Sequence, residues 1–236
     1  MGLLVPESIV TNSRTEASSF IGDFSDPVIV KPLASGYVES DEGDSSIYTQ
    51  RFQPCHLPAL DDIQNCPVLF QRMVDKVVDV RITVLDEYMI AVSLAADDQR
   101  GDQRLDIRRD NMSDVRYEVV SIPDNIRSAI TKILAKYSLR FAAIDFAINK
   151  ADEWVFFEIN PNGQWAWLDL CAEAKISDVF VNVFLRDQDV NLRAKCTSNL
   201  RVKMYHFWDG QHHQSGTSKI NYLPVRAGMV RTSDSA

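Results

Sequence analysis

Several protein classes are excluded by what this chain lacks. It has four cysteines in 236 residues, Cys55, Cys66, Cys171 and Cys196, and no Cys-x-x-Cys pair. That argues against a disulfide scaffold or a dithiol redox motif, and the reading is free thiols in a reducing cytoplasm. A zinc site built from Cys55, His56 and Cys66 is the disfavoured alternative. No apolar run reaches transmembrane length, so no membrane partner is expected. The start, Met-Gly-Leu-Leu-Val-Pro, lacks a charged segment followed by an apolar one and so does not read as a signal peptide. Pro6 stands where a myristoylation motif carries Ser or Thr. Basic residues are also in deficit, with 25 Lys and Arg against 33 Asp and Glu and a formal charge of −8. A general nucleic-acid binder would show a basic patch, so that class is set aside. A nucleotide needs only local positive groups and backbone N–H donors, so that class stays open. What the chain does have is ordinary for a soluble globular protein: 45% hydrophobic and 25% charged residues, enough for one large domain or two smaller lobes.

One stretch stands out, Phe141 to Trp165. It reads as two β-runs, Phe141–Lys150 and Glu153–Asn160, joined by a tight polar turn. With Ala151-Asp152 as a two-residue turn, antiparallel pairing sets Asp145 opposite Glu158. Glu158 and Asn160 are two apart and share a face. Two carboxylates and an amide oxygen on an apolar sheet are costly unless a cation joins them. Hard oxygen ligands suit Mg²⁺ better than zinc. The bland alternative is a solvated hairpin with chance acidic residues, but Asp145 lies inside an apolar run.

Upstream, Thr11-Asn12-Ser13 can cap a helix from Arg14 to Ile21. Pro27-Val28-Ile29-Val30-Lys31-Pro32 is a short buried strand ending in lysine, followed by small residues and an acidic loop, 39–46. Ile47–Phe52 reads as a strand, and so do Val77–Leu85 and Tyr88–Leu94, with a turn at Asp86-Glu87. Asp97 to Arg104 reads as a loop. Pro123-Asp124 opens an amphipathic helix carrying Ile126, Ala129, Ile130, Ile133, Leu134 and Tyr137, with Asp124 as its expected cap. Ile176–Leu185 suits a further helix, and from Asp187 the pattern weakens. The class is α+β with antiparallel sheets: a small lobe (1–70), a larger lobe (71–190) and an irregular tail (191–236). Taken singly, the polar residues leave alternatives open. Lys31 is either a phosphate contact or an exposed strand-end lysine. The run 70–74 is either a hinge reading an adenine edge or a buried strand. Asp79 takes a ribose hydroxyl or pairs with Arg81 or Lys76. Arg81 and Arg109 stabilise phosphoryl charge or form surface ion pairs.

Their order along the chain resembles the ATP-grasp superfamily, within it the microviridin-type ATP-grasp peptide maturases, relatives of the ribosomal-protein glutamate ligases. The resemblance covers about residues 3–186. It is carried by Val5-Pro6, Thr11-Asn12, Ile29-Val30-Lys31, Tyr48-Thr49, Cys66 to Gln71, Lys76, Asp79-Val80-Arg81, Leu105 to Arg109, Ala143 to Phe146, and Phe157-Glu158-Ile159-Asn160-Pro161-Asn162-Gly163-Gln164-Trp165-Ala166-Trp167-Leu168. It implies a two-lobed ATP-grasp fold lacking the N-terminal pre-grasp domain and the further ATP-contacting lysine that follows it. It implies ATP and Mg²⁺ as cofactors. Lys31 would contact phosphates, Gln71, Arg72, Met73 and Val74 would form the adenine hinge, and Asp79 would lie near the ribose. Asp145, Glu158 and Asn160 would hold Mg²⁺, and Arg109 and Arg81 would steady the phosphoryl group. The implied activity is a cytoplasmic ligase that activates an Asp or Glu side chain of a peptide or protein and forms an ester or amide crosslink. Two alternatives remain beside it: a degenerate or truncated module that binds nucleotide or peptide without turnover, and an amino-acid ligase of the glutamate-ligase branch. A homo-oligomer is compatible with either.

Overall fold

A computed structural model describes residues 2–33, 37–38, 45–96, 104–109 and 112–186. Most of the acidic loop, the stretch from Asp97 to Gln103, and the expected tail lie outside the described residues. The chain divides into two units, Met1–Ser198 and Asn199–Ala236, of which only the first contains described residues.

Two antiparallel sheets form the body of the first unit. The smaller uses β1 (Ser8–Thr11), β2 (Val28–Lys31), β5 (Gln50–Arg51) and β6 (Val68–Arg72) in the order β1-β6-β2-β5. Tyr37–Val38 and Ser45–Ser46 pair separately as β3 and β4. The larger sheet uses β7 (Lys76–Leu85), β8 (Tyr88–Ala95), β9 (Arg116–Val120), β10 (Phe141–Asn149) and β11 (Trp154–Asn160) in the order β11-β10-β7-β8-β9. The small sheet therefore runs through Arg72, and the large one starts at Lys76. The start of the chain reaches across, because Phe156 N–H donates to the Leu4 carbonyl at 2.8 Å.

Side-chain alternation gives each sheet one apolar face. In the small sheet, Val28 and Val30 of β2 and Val68 and Phe70 of β6 pack on Ala17, Leu60 and Ile63, which come from α1 (Arg14–Gly22) and a 3₁₀ stretch, Pro54–Asn65. Ser13 caps α1 as the sequence suggests, its hydroxyl accepting from the Glu16 N–H at 3.4 Å. In the large sheet, Val80, Ile82, Val84, Ile144 and Phe146 meet Ile126, Ile130 and Leu134 of α2 (Asp124–Tyr137). The cap of α2 is Pro123 rather than Asp124, with no side-chain bond, so Asp124 falls in the first turn. The opposite face carries a second apolar cluster at its β8–β9 end. There Val92 packs on Leu168 of α3 (Ala166–Ala172) and on Ile176 of α4 (Ile176–Arg186). The same face carries the polar residues Asp79, Arg81 and Asp145 on β7 and β10. Among the described residues no helix is long and apolar enough to cross a membrane.

Candidate functional site

The hairpin pairs Asp145 with Glu158 and Ala143 with Asn160, as expected, but by a different route. Asn149 N–H donates to the Glu153 carbonyl at 3.1 Å, so the loop is Lys150-Ala151-Asp152, one residue longer than the expected turn. Asp152 takes a left-handed conformation there, φ 59°. The register then shifts between Asp145 and Phe146, leaving Phe157 as an extra residue on β11. This is a β-bulge, and its effect is to exchange faces. Trp154, Phe156 and Ile159 all pack on the α2 side, although the last differs in parity from the first two. Without the bulge Glu158 would point into that core. With it, Glu158 and Asn160 turn to the opposite face.

On that face Asp145 sits between two partners. Across β7 it faces Arg81, and across β11 it faces Glu158. Arg81 grips both oxygens of Asp145, through Nε to Oδ1 and Nη2 to Oδ2, the latter at 2.9 Å. Arg81 Nη1 also donates to the Gln164 carbonyl at 3.4 Å. That carbonyl is placed by a tight turn: a Cβ on Gly163 would come within 2.3 Å of the Ala143 Cβ, so glycine is required there. Burial, then the Asp145 charge and a hydrogen bond to Asp145, push the Glu158 carboxyl up. Asn160 Oδ1 accepts from the Asn162 N–H at 2.8 Å, closing the turn after the strand. Among the described residues no group of three or more His, Cys, Asp and Glu forms a metal-holding cluster. The expected set differs in kind, since it has two carboxylates and an amide.

The cationic residues approach from both sheets. Ser8, Ile29, Lys31 and Gln71 occupy the small-sheet face away from α1, by alternation from the core residues Ile9, Val28, Val30 and Phe70. Lys31 Nζ lies 4.7 Å from the centre of the Phe157 ring, so this face looks onto β11. Burial, then the neighbouring Lys76 charge, lower the Lys31 ammonium, and Glu158, Asp106 and Asp79 act in the other direction. Lys76 Nζ donates to both oxygens of Asp79, each at 2.7 Å. Burial raises the Asp79 carboxyl and Lys76 opposes that rise.

The residues expected as a hinge are held differently from one another. Gln71 lies in the central strand of the small sheet, and its amide bonds to Lys31 and Ser8. The N–H groups of Arg72 and Met73 donate to the carbonyls of Glu7 and Pro27 at 2.9 and 2.8 Å. The Arg72 guanidinium turns outward to Asp26, with contacts of 2.9 and 2.6 Å. Val74 accepts from the Lys76 N–H at 2.9 Å.

Arg109 is tied to the small sheet. Its Nη2 donates to the Thr49 carbonyl at 2.9 Å, and it lies 5.6 Å over the Tyr48 ring. The Thr49 N–H in turn donates to Asp106 at 3.0 Å. Burial alone would raise the Asp106 carboxyl. Arg108, at 2.9 and 2.7 Å, together with the Thr49 and Arg108 N–H groups, holds it well below the usual carboxylate range. Asp106 and its bracket on Thr49 were not singled out in the sequence. The only signal was the charge cluster Asp106-Ile107-Arg108-Arg109.

Thus the site brings together Lys31, Lys76, Asp79, Arg81, Asp145, Glu158 and Asn160, while Arg109 and the side chain of Arg72 point to other partners. No known protein family's model matches the sequence, and no curated protein matches it. Solved structures do. A RiPP-associated ATP-grasp ligase from Chryseobacterium gregarium, in complex with ADP and a leader and core peptide, superposes with a TM-score of 0.71 at 27% identity, over 80% of this chain and 56% of its own. The macrocyclase MdnC of Microcystis aeruginosa MRC, bound with the precursor peptide MdnA, gives 0.61 at 22% identity, over 72% and 50%. The ATP-grasp ligase PsnB, complexed with a variant of its minimal precursor, Mg and ADP, gives 0.64 at 20% identity, over 80% and 55%. The chain therefore spans about half the length of these proteins. By fold the chain is an ATP-grasp protein, similar to the RiPP-associated ATP-grasp ligases and macrocyclases that its motifs resemble.

Proposed function

We propose that the chain is an ATP- and Mg²⁺-dependent ligase that activates a peptide carboxylate. One observation carries this reading. Lys31, whose ammonium also feels the like charge of Lys76, lies within electrostatic reach of Glu158, which itself crowds a second carboxylate, Asp145. Asp79 offsets Lys76 and Arg81 offsets Asp145, and a polyphosphate carrying a divalent cation would meet the charge left on Lys31 and Glu158. The donor set fits Mg²⁺: Asp145 and Glu158 supply carboxylate oxygens and Asn160 an amide oxygen, leaving positions for phosphate and water. Bound there, Mg²⁺ would neutralise phosphoryl charge. Lys31 would hold phosphate oxygens, Asp79 would sit at the ribose, and residues 71–74 would border the adenine. With the Arg72 and Met73 N–H groups engaged, the hinge's donor would come from Val74.

The reaction that follows transfers the terminal phosphoryl group of ATP to an Asp or Glu side chain, releasing ADP. A hydroxyl or amine of the same peptide then attacks the acyl carbon, phosphate leaves, and an ester or amide remains. Arg81 would supply positive charge near the phosphoryl oxygens, and Arg109 would join it only by leaving the Thr49 carbonyl and the Tyr48 ring that hold it here. The peptides in the related solved complexes support a peptide substrate for this chain. Arg81 holding both Asp145 oxygens favours a second reading, a module that binds nucleotide without turnover. ADP release with Mg²⁺ and peptides carrying Asp or Glu beside Ser, Thr or Lys separates the two. The ligase reading expects peptide-dependent ADP and a product lighter by one water per bond. Mg·ATP binding with no ADP above background for any such peptide contradicts it.

A further inference from the structure

The small sheet carries a polar relay in which the ligase reading leaves Ser8 and the Gln71 side chain without a role. Ser8 and Gln71 are direct cross-strand partners between β1 and β6. On the other side of β6, Lys31 pairs with Leu69, two residues from Gln71, so Lys31 and Gln71 are diagonal neighbours on one face. Ser8 Oγ–H donates to the Pro6 carbonyl at 2.9 Å. A hydroxyl has a single proton, so towards Gln71 this oxygen can only accept. It does so from Gln71 Nε2, at 2.9 Å. That fixes the amide: with its nitrogen on Ser8, Oε1 faces Lys31, whose ammonium donates to it at 3.0 Å. A flipped amide would set an NH₂ group against the ammonium. Gln71 is only 6% exposed, so solvent does not replace either contact freely. A backbone carbonyl thus orients a hydroxyl, the hydroxyl an amide, and the amide a lysine.

We infer that Ser8 is a positioning residue, holding the Lys31 ammonium for a phosphate-bearing ligand by locking the Gln71 amide. The ligand's identity rests on the nucleotide reading above, whereas the relay does not. Ser8 is exposed, so Ser8→Ala opens no cavity. It admits water at Gln71, and water both donates and accepts, so the amide is no longer set. The charged groups that surround Lys31, namely Lys76 and Asp79 of β7, Glu158 of β11 and Asp106, are untouched by that change.

Two measurements on the full chain test this. The first uses no nucleotide: labelling of Lys31 by an amine-acylating probe at one pH, read by mass spectrometry against the exposed Lys150. Ser8→Ala is expected to raise Lys31 labelling by about threefold or more, the scale of one lost hydrogen bond, and Ser8→Thr to restore it. Unchanged labelling in Ser8→Ala overturns the relay. The second compares affinity for Mg·ADP and for adenosine. Ser8→Ala is expected to weaken Mg·ADP by roughly fivefold to tenfold and leave adenosine unchanged. Equal loss for both ligands overturns a positioning role. If the unaltered protein binds neither ligand, the nucleotide reading falls, and the labelling result alone decides the relay.

Discussion

Glu158 shows what the proposed site costs the fold. Burial and the facing Asp145 raise its carboxyl above its ordinary value, so the folded state disfavours the ionised form. The penalty is absent below the ordinary carboxylate value and fully present above the raised folded one. Glu158→Gln should therefore melt higher than the unaltered chain at pH 8, with the gain fading as the pH falls through the carboxylate range. Mg²⁺ should raise the melting temperature of the unaltered chain and not of the variant. Thermal melts across pH, with and without Mg²⁺, check both. At this scale the pairing of Asp145 with Glu158 was legible because Asp145 interrupts an apolar strand, and because Glu158 and Asn160 share a face. Their partners were not. Arg81 lies 64 residues from Asp145, and Ser8 lies 63 from Gln71. Only a solved register brings them together, and the side-chain role of Gln71 is hidden in a run that otherwise reads as apolar strand.

The elements were legible where they are periodic. In α2, Ile126, Ala129, Ile130 and Leu134 recur at helical spacing and are buried. Ile130 is fully buried against the sheet, and Ile130→Ala should lower stability by about 2–5 kcal/mol in urea unfolding, since neither sheet nor helix can collapse into the gap. Two short elements gave no such pattern. β9, Arg116–Val120, is an edge strand with Arg116, Glu118 and Val119 exposed, so its alternation is weak. α3 has seven residues, too few for a clear periodicity, and it is fixed by Leu168 in the core instead. The hairpin was read correctly at Asp145–Glu158 because two departures cancel. The loop is one residue longer than the expected turn, and the bulge at Phe157 restores the register. Nothing local in the run Trp154 to Asn160 distinguishes a bulged strand from a regular one.

For the molecule as a whole, Asp106 ties the loop between β8 and β9 to the segment that enters β5. Its carboxylate takes the Thr49 N–H from the small-sheet side and Arg108 from its own loop. Its folded value is depressed, so its contribution to stability is present throughout the neutral range and lost only as the pH falls below the ordinary carboxylate value. Asp106→Asn should lower the melting temperature at pH 7, and the gap to the unaltered chain should narrow in acid. Amide exchange should quicken at Thr49, which is otherwise buried. The two-sheet plan and its antiparallel pairing were legible in the order of motifs. The way the sheets grip each other was not, because it depends on backbone groups that carry no sequence signature. The central claim is that Lys31 and the Asp145–Glu158 carboxylate pair form one Mg·ATP site. Titration calorimetry of Mg·ATP into the unaltered chain and into Glu158→Gln tests it most directly. The account predicts saturable, Mg²⁺-dependent binding that Glu158→Gln weakens at least about tenfold, the scale of one lost charged contact. No binding by the unaltered chain, or equal affinity and equal Mg²⁺ dependence in the variant, would contradict it.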